Sequence, residues 1–322
     1  MISKLCSCQI GETAHRLLAP GVCGQVLAGF SGAAYLVTEQ AELFWLASEN
    51  APMHVRGLRI AGHFPKLVAG ETFFIEGGSI NIAPDLQVDF GNASTWAMPH
   101  IPGNAVLEID QIPARAKSLL STDFDSSQAS GFGRLIPRII SLATGQLDDE
   151  PEMDPVLAFA WPAINEIAKA CLLHDMPRLL QEANALVGLG EGFTPSGDDF
   201  LGGLLFCIHT IQRLYPGFID FDFFERALFI ESVKQRTHLI SFTLLKDLAN
   251  GQAVEPLHQW IHAVLSNQSP ASIRQPASCL IQIGHSTGWD LLTGALTGLL
   301  FTFPSPDLID SSSFLLEQNI HA

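Results

Sequence analysis

The sequence predicts an α+β protein, with an N-terminal antiparallel β domain of barrel or sandwich type followed by a mainly α-helical domain. Short apolar stretches separated by turn residues follow one another from Gly24 to Phe90, which is typical of a small barrel or sandwich. From Pro155 onward the apolar residues recur at helical spacing. A chain of 322 residues is long enough for two domains, which we place at residues 1–105 and 106–322.

The predicted strands are short and separated by turns. Residues 86–90 alternate between apolar and polar, and the Gly-Gly pair at 77–78 is typical of a hairpin. His54, Arg56 and Arg59 lie in the same region, and we interpret them as solvated charges at a strand edge rather than as an anion-binding rim. The predicted strands are Ala33–Val37, Leu43–Ala47, Val55–Ile60, Thr72–Glu76, Ser79–Ile82 and Leu86–Phe90.

The second part of the chain reads as connections and helices. Ser121–Gly133 is rich in Ser, Asp and Gly and is predicted to be a flexible connection, and the acidic segment Leu147–Asp154 a solvated turn. The predicted helices are Val156–Leu173, Pro177–Val187, Asp198–Leu214, Asp222–Ala249, Val254–Leu265, Ile273–Ile283 and Trp289–Phe301.

Composition argues against several classes of partner. Lys and Arg number 17 against 33 Asp and Glu, which gives a net charge of −16. A surface this acidic argues against nucleic acid and anionic membranes as partners. No unbroken apolar stretch follows Lys4, and the apolar run Leu291–Phe303 is too short and too rich in Gly and Thr to span a bilayer. We therefore expect a cytoplasmic protein.

The most informative stretch runs from Gly188 to Gly203 and reads G-L-G-E-G-F-T-P-S-G-D-D-F-L-G-G. Its glycines permit positive φ angles, and Pro195 suits the first turn of a helix that Thr194 or Ser196 caps. The amide groups and the dipole at such a helix start favour an anion. The stretch lacks the lysine of a P-loop and the G-x-G-x-x-G spacing of a dinucleotide fold, so neither nucleotide site is predicted.

A second helix start repeats this pattern. Residues 287–294 read T-G-W-D-L-L-T-G and align with residues 196–203, so that Asp199 corresponds to Asp290 and Gly203 to Gly294. Glycines on a helix face allow close approach of a neighbouring helix. We therefore expect the two helices to pack together with both N-termini at one site. The alternative is a chance match between two helices rich in Gly and Leu.

The motif G-L-G-x-G-x-T-P-x-G-D-D-x-L-x-G resembles the signature of the AllH family, which includes a subunit linked to oxamate carbamoyltransferase in anaerobic allantoin breakdown. Further similarity lies at Arg236-Thr237-His238-x-x-Ser241 and in the stretch G-H-S-T-G-W-D at 284–290. The N-terminal half fits more loosely, through A-Y-L at 34–36 and a strand-rich run ending near Trp96. The resemblance covers most of the chain.

The resemblance implies a subunit of a carbamoyltransferase system that acts on oxamate, oxalurate or a related small anionic substrate, together with other subunits of a hetero-oligomeric enzyme. Asp199, His285 and Asp290 are the candidate catalytic residues. Asp199 and Asp290 suit either the N–H groups of a substrate or a magnesium ion. The substrate-binding candidates surround the two helix starts and the predicted helix 222–249: Gly190, Gly192, Thr194, Ser196, Gly197, Asp198, Arg236, Thr237, Ser241, Ser286 and Thr287.

Two alternatives stay open at this point. One is a non-catalytic binding or assembly subunit whose glycine loop contacts a partner. The other is a stand-alone, metal-dependent hydrolase that uses Asp198, Asp199 and Asp290. The sequence lacks the Ser-Thr-Arg-Thr-Arg signature of ordinary transcarbamoylases. A carbamoyltransferase subunit should be encoded beside companion subunits and a carbamate kinase, whereas a hydrolase should work alone and lose activity with a chelator.

Overall fold

The computed structural model describes residues 3–120, 128–145, 153–269 and 271–304. The chain forms two compact units, one of residues 1–99 with 252–258 and the other of residues 100–251 with 259–322. The predicted domain division at residues 105 and 106 stays a prediction. Most of the predicted connection Ser121–Gly133 and of the predicted turn Leu147–Asp154 lies outside the described residues.

The first unit is a β-barrel, as predicted. Its described strands are β1 (Ser3–Gly11), β2 (Cys23–Gly29), β3 (Ala33–Thr38), β4 (Leu43–Ser48), β5 (Gly57–Ile60), β6 (Thr72–Glu76), β7 (Ser79–Ile82), β8 (Leu86–Asp89) and β9 (Ser94–Trp96). The order β5-β4-β3-β2-β6-β7-β8-β1 closes because β1 also pairs with β5, and β9 adds to β1. The barrel is mixed rather than purely antiparallel, since β4–β5, β1–β8 and β1–β9 are parallel.

Alternation along the strands produces the barrel core. In β3, residues 34 and 36 are buried while their neighbours are partly exposed, and the same pattern recurs in β6. Strand β1 was missed by the sequence analysis because polar residues and cysteines occupy much of it. A bulge between Ser7 and Gln9 further interrupts its period. Its three neighbouring strands, rather than its own apolar pattern, stabilise it.

The interpretation of the barrel charges as solvated is wrong for two of the three. His54 is 2% exposed and stacks on Trp45 at 4.8 Å between ring centroids, and Arg56 is 8% exposed. The Arg56 guanidinium donates to the carbonyl oxygen of Leu43 and pairs with Glu42. These contacts satisfy the buried polar groups, so His54 and Arg56 have structural roles.

The described helices comprise a short α1 in the first unit, α9 across both units and the remainder in the second. They are α1 (Glu12–Leu17), α2 (Ile112–Leu120), α3 (Ile136–Thr144), α4 (Pro155–Leu173), α5 (Met176–Ala183), α6 (Ser196–Leu214), α7 (Phe223–Val233), α8 (Leu239–Ala249), α9 (Glu255–Val264), α10 (Ala271–Leu280) and α11 (Thr287–Thr302). α6 packs along α11 more extensively than any other described pair of elements. α4 is long and apolar enough to cross a membrane by length and composition alone, a test that buried helices of soluble proteins also pass.

The prediction of one helix over Asp222–Ala249 is wrong, because the chain breaks between α7 and α8. Arg236, Thr237 and His238 therefore lie in a turn, and only Ser241 is helical. The break has a physical cause: the carbonyl oxygen of Arg236 packs against Gly188, and the Thr237 hydroxyl donates to Asp198. These tertiary contacts outweigh the helical pattern of the sequence.

Candidate functional site

The glycine loop folds back on the start of α6. Gly188, Gly190 and Gly192 have φ angles of +74°, +120° and +88°, a region that side-chain-bearing residues rarely adopt. A Cβ atom on Gly190 would lie 2.7 Å from the amide nitrogen of Ser196. Glycine is thus required both for the turn and for its close approach to the helix.

The hydroxyl groups of this loop face α11 rather than capping α6. Pro195 is the N-cap residue and no side chain caps the helix, so the predicted cap by Thr194 or Ser196 is wrong. The Thr194 and Thr287 hydroxyl oxygens are 3.0 Å apart, and those of Ser196 and Ser286 are 3.5 Å apart. Two pairs of hydroxyl groups therefore connect the two helix starts.

The helix crossing predicted from the paired glycines is confirmed. A Cβ atom on Gly203 would lie 2.0 Å from the carbonyl oxygen of Leu291, and one on Gly294 would lie 1.9 Å from that of Phe200. Because Leu291 and Phe200 hold equivalent places in the two helices, the contact is reciprocal. The crossing brings the two N-termini together.

Asp198 has a structural role in this arrangement. Its side chain is 1% exposed and accepts hydrogen bonds from the Gly188 amide at 2.7 Å and from the hydroxyls of Ser241, at 2.6 Å, and Thr237. These donors come from the glycine loop, from α8 and from the turn before it. Asp198 therefore fixes the loop and has little capacity left for a ligand.

Asp199 and Asp290 are the buried carboxyl groups at the starts of α6 and α11. They are 4% and 0% exposed, and the Oδ2 atom of each has no hydrogen-bond partner among the described residues. Burial, followed by the charge of Asp290, raises the pKa of Asp199 well above its ordinary value. Burial raises the pKa of Asp290 to about 7. Hydrogen bonds from hydroxyl groups offset part of each increase in pKa. The donors are Thr194 and Thr287 for Asp199, and Ser196 and Ser286 for Asp290.

A third element, which the sequence analysis missed, holds Asp290. The amide of Phe132 donates to Asp290 Oδ1 at 2.6 Å, and a Cβ atom on Gly131 would lie 2.3 Å from the same oxygen. Gly131 has a φ of +54° and begins a 3-10 turn, Gly131–Leu135, in which Phe132 is fully buried. Residues 131–133 are thus part of the site rather than of a flexible connection. The local sequence carries no signal for the contact of Phe132 with Asp290, because the two residues are 158 positions apart.

A comparison with known families matches the part of the chain that carries the two helix starts. The family model described as oxamate carbamoyltransferase subunit AllH matches residues 186–299. This range includes the glycine loop, α6, α8, most of α11 and both aspartates. Residues 186–299 match the AllH family, whose name is that of a carbamoyltransferase-associated subunit. No solved structure matches the chain significantly.

Not every predicted residue of the AllH segment reaches the aspartate pair. The guanidinium of Arg236 donates to the side chain and the carbonyl oxygen of Asn184, which stabilises the base of the glycine loop. The amide of Gly197 donates to the carbonyl oxygen of Leu189, so this amide is used within the loop. The His285 carbonyl oxygen accepts from Ser130 Oγ at 2.6 Å, and His285 is exposed at the rim of the site.

The AllH segment offers two carboxyl groups as ligands rather than a larger set. Within the described residues, no group of three or more His, Cys, Asp or Glu side chains is placed to hold a metal ion. Asp198, the nearest third carboxylate in sequence, is bonded to three donors instead. Two carboxyl groups can accept the N–H groups of a substrate, and one or two carboxylates are also the usual protein ligands of magnesium.

Proposed function

We propose that the chain is a subunit of an oxamate carbamoyltransferase, and that the site between the starts of α6 and α11 binds its small carboxamide substrate. The observation that carries this proposal is the pair of buried oxygen atoms, Oδ2 of Asp199 and Oδ2 of Asp290, that lack partners. A buried polar atom without a partner costs about 1–3 kcal/mol. A ligand that supplies N–H groups removes this cost.

The site has a buried acidic part and an outer part lined by hydroxyl groups, which matches the amide and carboxylate ends of oxamate. The amide end of oxamate would meet the two aspartates in the buried part. Its carboxylate end would meet the half-buried hydroxyls of Thr194, Ser196 and Thr287, which line the outer part. Hydroxyl groups donate to an anion without requiring a buried cation. The anion-binding region predicted at the two helix N-termini would therefore use hydroxyl groups, which are neutral donors.

Carbamoyl transfer requires acceptance of a proton from the substrate amide. A bond forms between the amide nitrogen of oxamate and the carbamoyl carbon, the bond from that carbon to the phosphate oxygen breaks, and the nitrogen loses one proton. A buried carboxylate within reach of the N–H group is a suitable acceptor. The hydroxyl groups at the helix starts would stabilise negative charge on the carbamoyl oxygen. The phosphate-binding groups would come partly from companion subunits.

The experiment is a binding and activity assay on the full chain. Isothermal titration with oxamate, carbamoyl phosphate and inorganic phosphate is carried out on the chain alone and with its genomically encoded companion subunits, followed by assay of oxalurate phosphorolysis. Asp290→Ala should abolish oxamate binding, while Asp220→Ala, at an exposed position before α7, should leave it unchanged. Failure of every mixture to bind oxamate and to phosphorolyse oxalurate would refute the function.

A further inference from the structure

We propose that the aspartate pair carries one proton with fixed roles, so that Asp199 donates its O–H to the carbonyl oxygen of a primary carboxamide while Asp290 accepts the N–H of the same group. This assignment rests on the proposed function and deepens it. It makes the pair a specificity device that distinguishes a carboxamide from a carboxylate.

The asymmetry between the two aspartates comes from the turn Gly131–Leu135. The amide of Phe132 donates to Asp290 Oδ1, and a hydrogen bond from a backbone N–H stabilises the charged form of a carboxyl group. Asp199 has no such donor among its described contacts, and only the hydroxyls of Thr194 and Thr287 oppose the effect of burial on it. Negative charge therefore resides on Asp290 and the proton on Asp199.

The charged surroundings reinforce this order. Asp290 and, more weakly, Asp198 are the carboxylates that raise the pKa of Asp199, after burial. Hydrogen bonds from the Phe132 amide and from the hydroxyls of Ser196 and Ser286 lower the pKa of Asp290, which burial raises to about 7. Over the described part of the chain, no Lys, Arg or His forms an ion pair with either aspartate. Above about pH 7 the pair is singly protonated until Asp199 also ionises.

A singly protonated pair matches one edge of a carboxamide. The carbonyl oxygen of the amide accepts from the O–H of Asp199, and its NH₂ group donates to Oδ2 of Asp290, an atom that otherwise lacks a partner. A carboxylate of similar size presents acceptors at both places, so that one of them faces the negative charge of Asp290. Like charges in a buried site repel strongly. Oxamate should therefore bind and oxalate should not.

Asparagine substitutions separate the two roles because asparagine is neutral and carries a donor. At position 199 the NH₂ group of asparagine replaces the O–H as donor, so Asp199→Asn should retain oxamate affinity to within about threefold. At position 290 the Phe132 amide requires the asparagine oxygen at the place of Oδ1. Its NH₂ group then replaces the acceptor Oδ2, so Asp290→Asn should lose at least about tenfold in affinity.

The test is isothermal titration of the full chain with oxamate and with oxalate between pH 6 and pH 9. The wild-type chain should bind oxamate more tightly as the pH rises through about 7 and less tightly at higher pH. In Asp199→Asn the increase in affinity near pH 7 should remain, and the decrease at higher pH should disappear. Asp220→Asn is the surface control, and thermal melting establishes that each variant is folded. Equal loss in Asp199→Asn and Asp290→Asn, or wild-type binding of oxalate as tight as that of oxamate, overturns the proton assignment alone. Absence of oxamate binding to the wild-type chain with its companions overturns the proposed function as well.

Discussion

Gly203 lies so close to Leu291 that a Cβ atom on it would be 2.0 Å from the Leu291 carbonyl oxygen. The contact is to backbone, which cannot rotate away as a flexible side chain does. The reciprocal contact of Gly294 with the carbonyl oxygen of Phe200 makes the two helices equivalent at their crossing. Their separation is therefore set by the absence of side chains at these two positions.

Gly203→Ala should lower the free energy of unfolding by about 1–3 kcal/mol, because even one methyl group overpacks the crossing. Gly103→Ala is the matched control, since a Cβ atom there meets nothing within 4 Å. Chemical denaturation of both variants, with the wild-type chain as reference, measures the difference. An unchanged or increased stability of Gly203→Ala would show that the helices are not in contact at this point.

The equivalence of the two helices extends beyond the crossing. A Cβ atom on Gly197 would lie 2.0 Å from the carbonyl oxygen of Leu186, and one on Gly288 would lie 1.8 Å from that of Leu280. Each helix thus begins with a glycine in close contact with a backbone carbonyl group, that of Leu186 in the turn after α5 and that of Leu280 at the end of α10. This arrangement places Asp199 and Asp290, two residues further along, at the same end of the helix pair.

Adjacent aspartates on α6 should respond in opposite ways to the same substitution. Asp198→Asn should destabilise the chain by about 2–4 kcal/mol, because a carboxylate that accepts from Gly188, Thr237 and Ser241 loses part of its acceptor capacity. Asp199→Asn removes a buried ionisable group with an unpartnered oxygen and should be neutral or stabilising. Thermal and denaturant unfolding of the two variants measures the contrast. Similar losses in both would mean that Asp199 is structural too.

The sequence predicted the parts of the structure that depend on local pattern. The barrel, the α6–α11 crossing and the pairing of Asp199 with Asp290 follow from alternation and from one repeated motif. The break between α7 and α8 could not be read in this way, because the residues around Arg236 have helical spacing and are removed from the helix only by contacts with the distant loop at Gly188. Tertiary contacts here override local propensity.

The role of Gly131 was likewise hidden. The preceding residues are rich in Ser, Asp and Gly, and no local sequence pattern indicates that Phe132 is fully buried beside Asp290. The contact joins positions 158 residues apart, a separation at which a single sequence carries no periodic signal. The N-capping prediction at Thr194 failed for a related reason, since its hydroxyl is engaged with Thr287 of another helix.

Gly131→Ala should impair binding as well as stability. Alanine at a positive φ costs about 1 kcal/mol, and its Cβ atom would also collide with the carboxyl group of Asp290. Gly217→Ala has the first cost without the second, because the space around Gly217 is open. Oxamate titration should show at least about a tenfold loss for Gly131→Ala and none for Gly217→Ala. Equal affinities would place the ligand away from Asp290.

The last prediction concerns the stability of the ligand-free chain as a function of pH. The pKa of Asp290 is about 7 in the folded chain, against an ordinary value of 3.8, so the folded state retains a proton that the unfolded state loses. The stabilisation that this proton contributes is fully present below about pH 4 and is lost as the pH rises to about 7. Asp290→Asn is neutral at every pH and keeps an acceptor for the Phe132 amide. Its free energy of unfolding should therefore fall less steeply between pH 4 and pH 7, and at pH 8 it should exceed that of the wild-type chain by on the order of 2–4 kcal/mol. Denaturant unfolding at half-unit pH intervals measures both curves, with Asp220→Asn as the control. Parallel curves for Asp290→Asn and the wild-type chain would mean that Asp290 takes up no proton between pH 7 and pH 4, against the raised pKa of its carboxyl group.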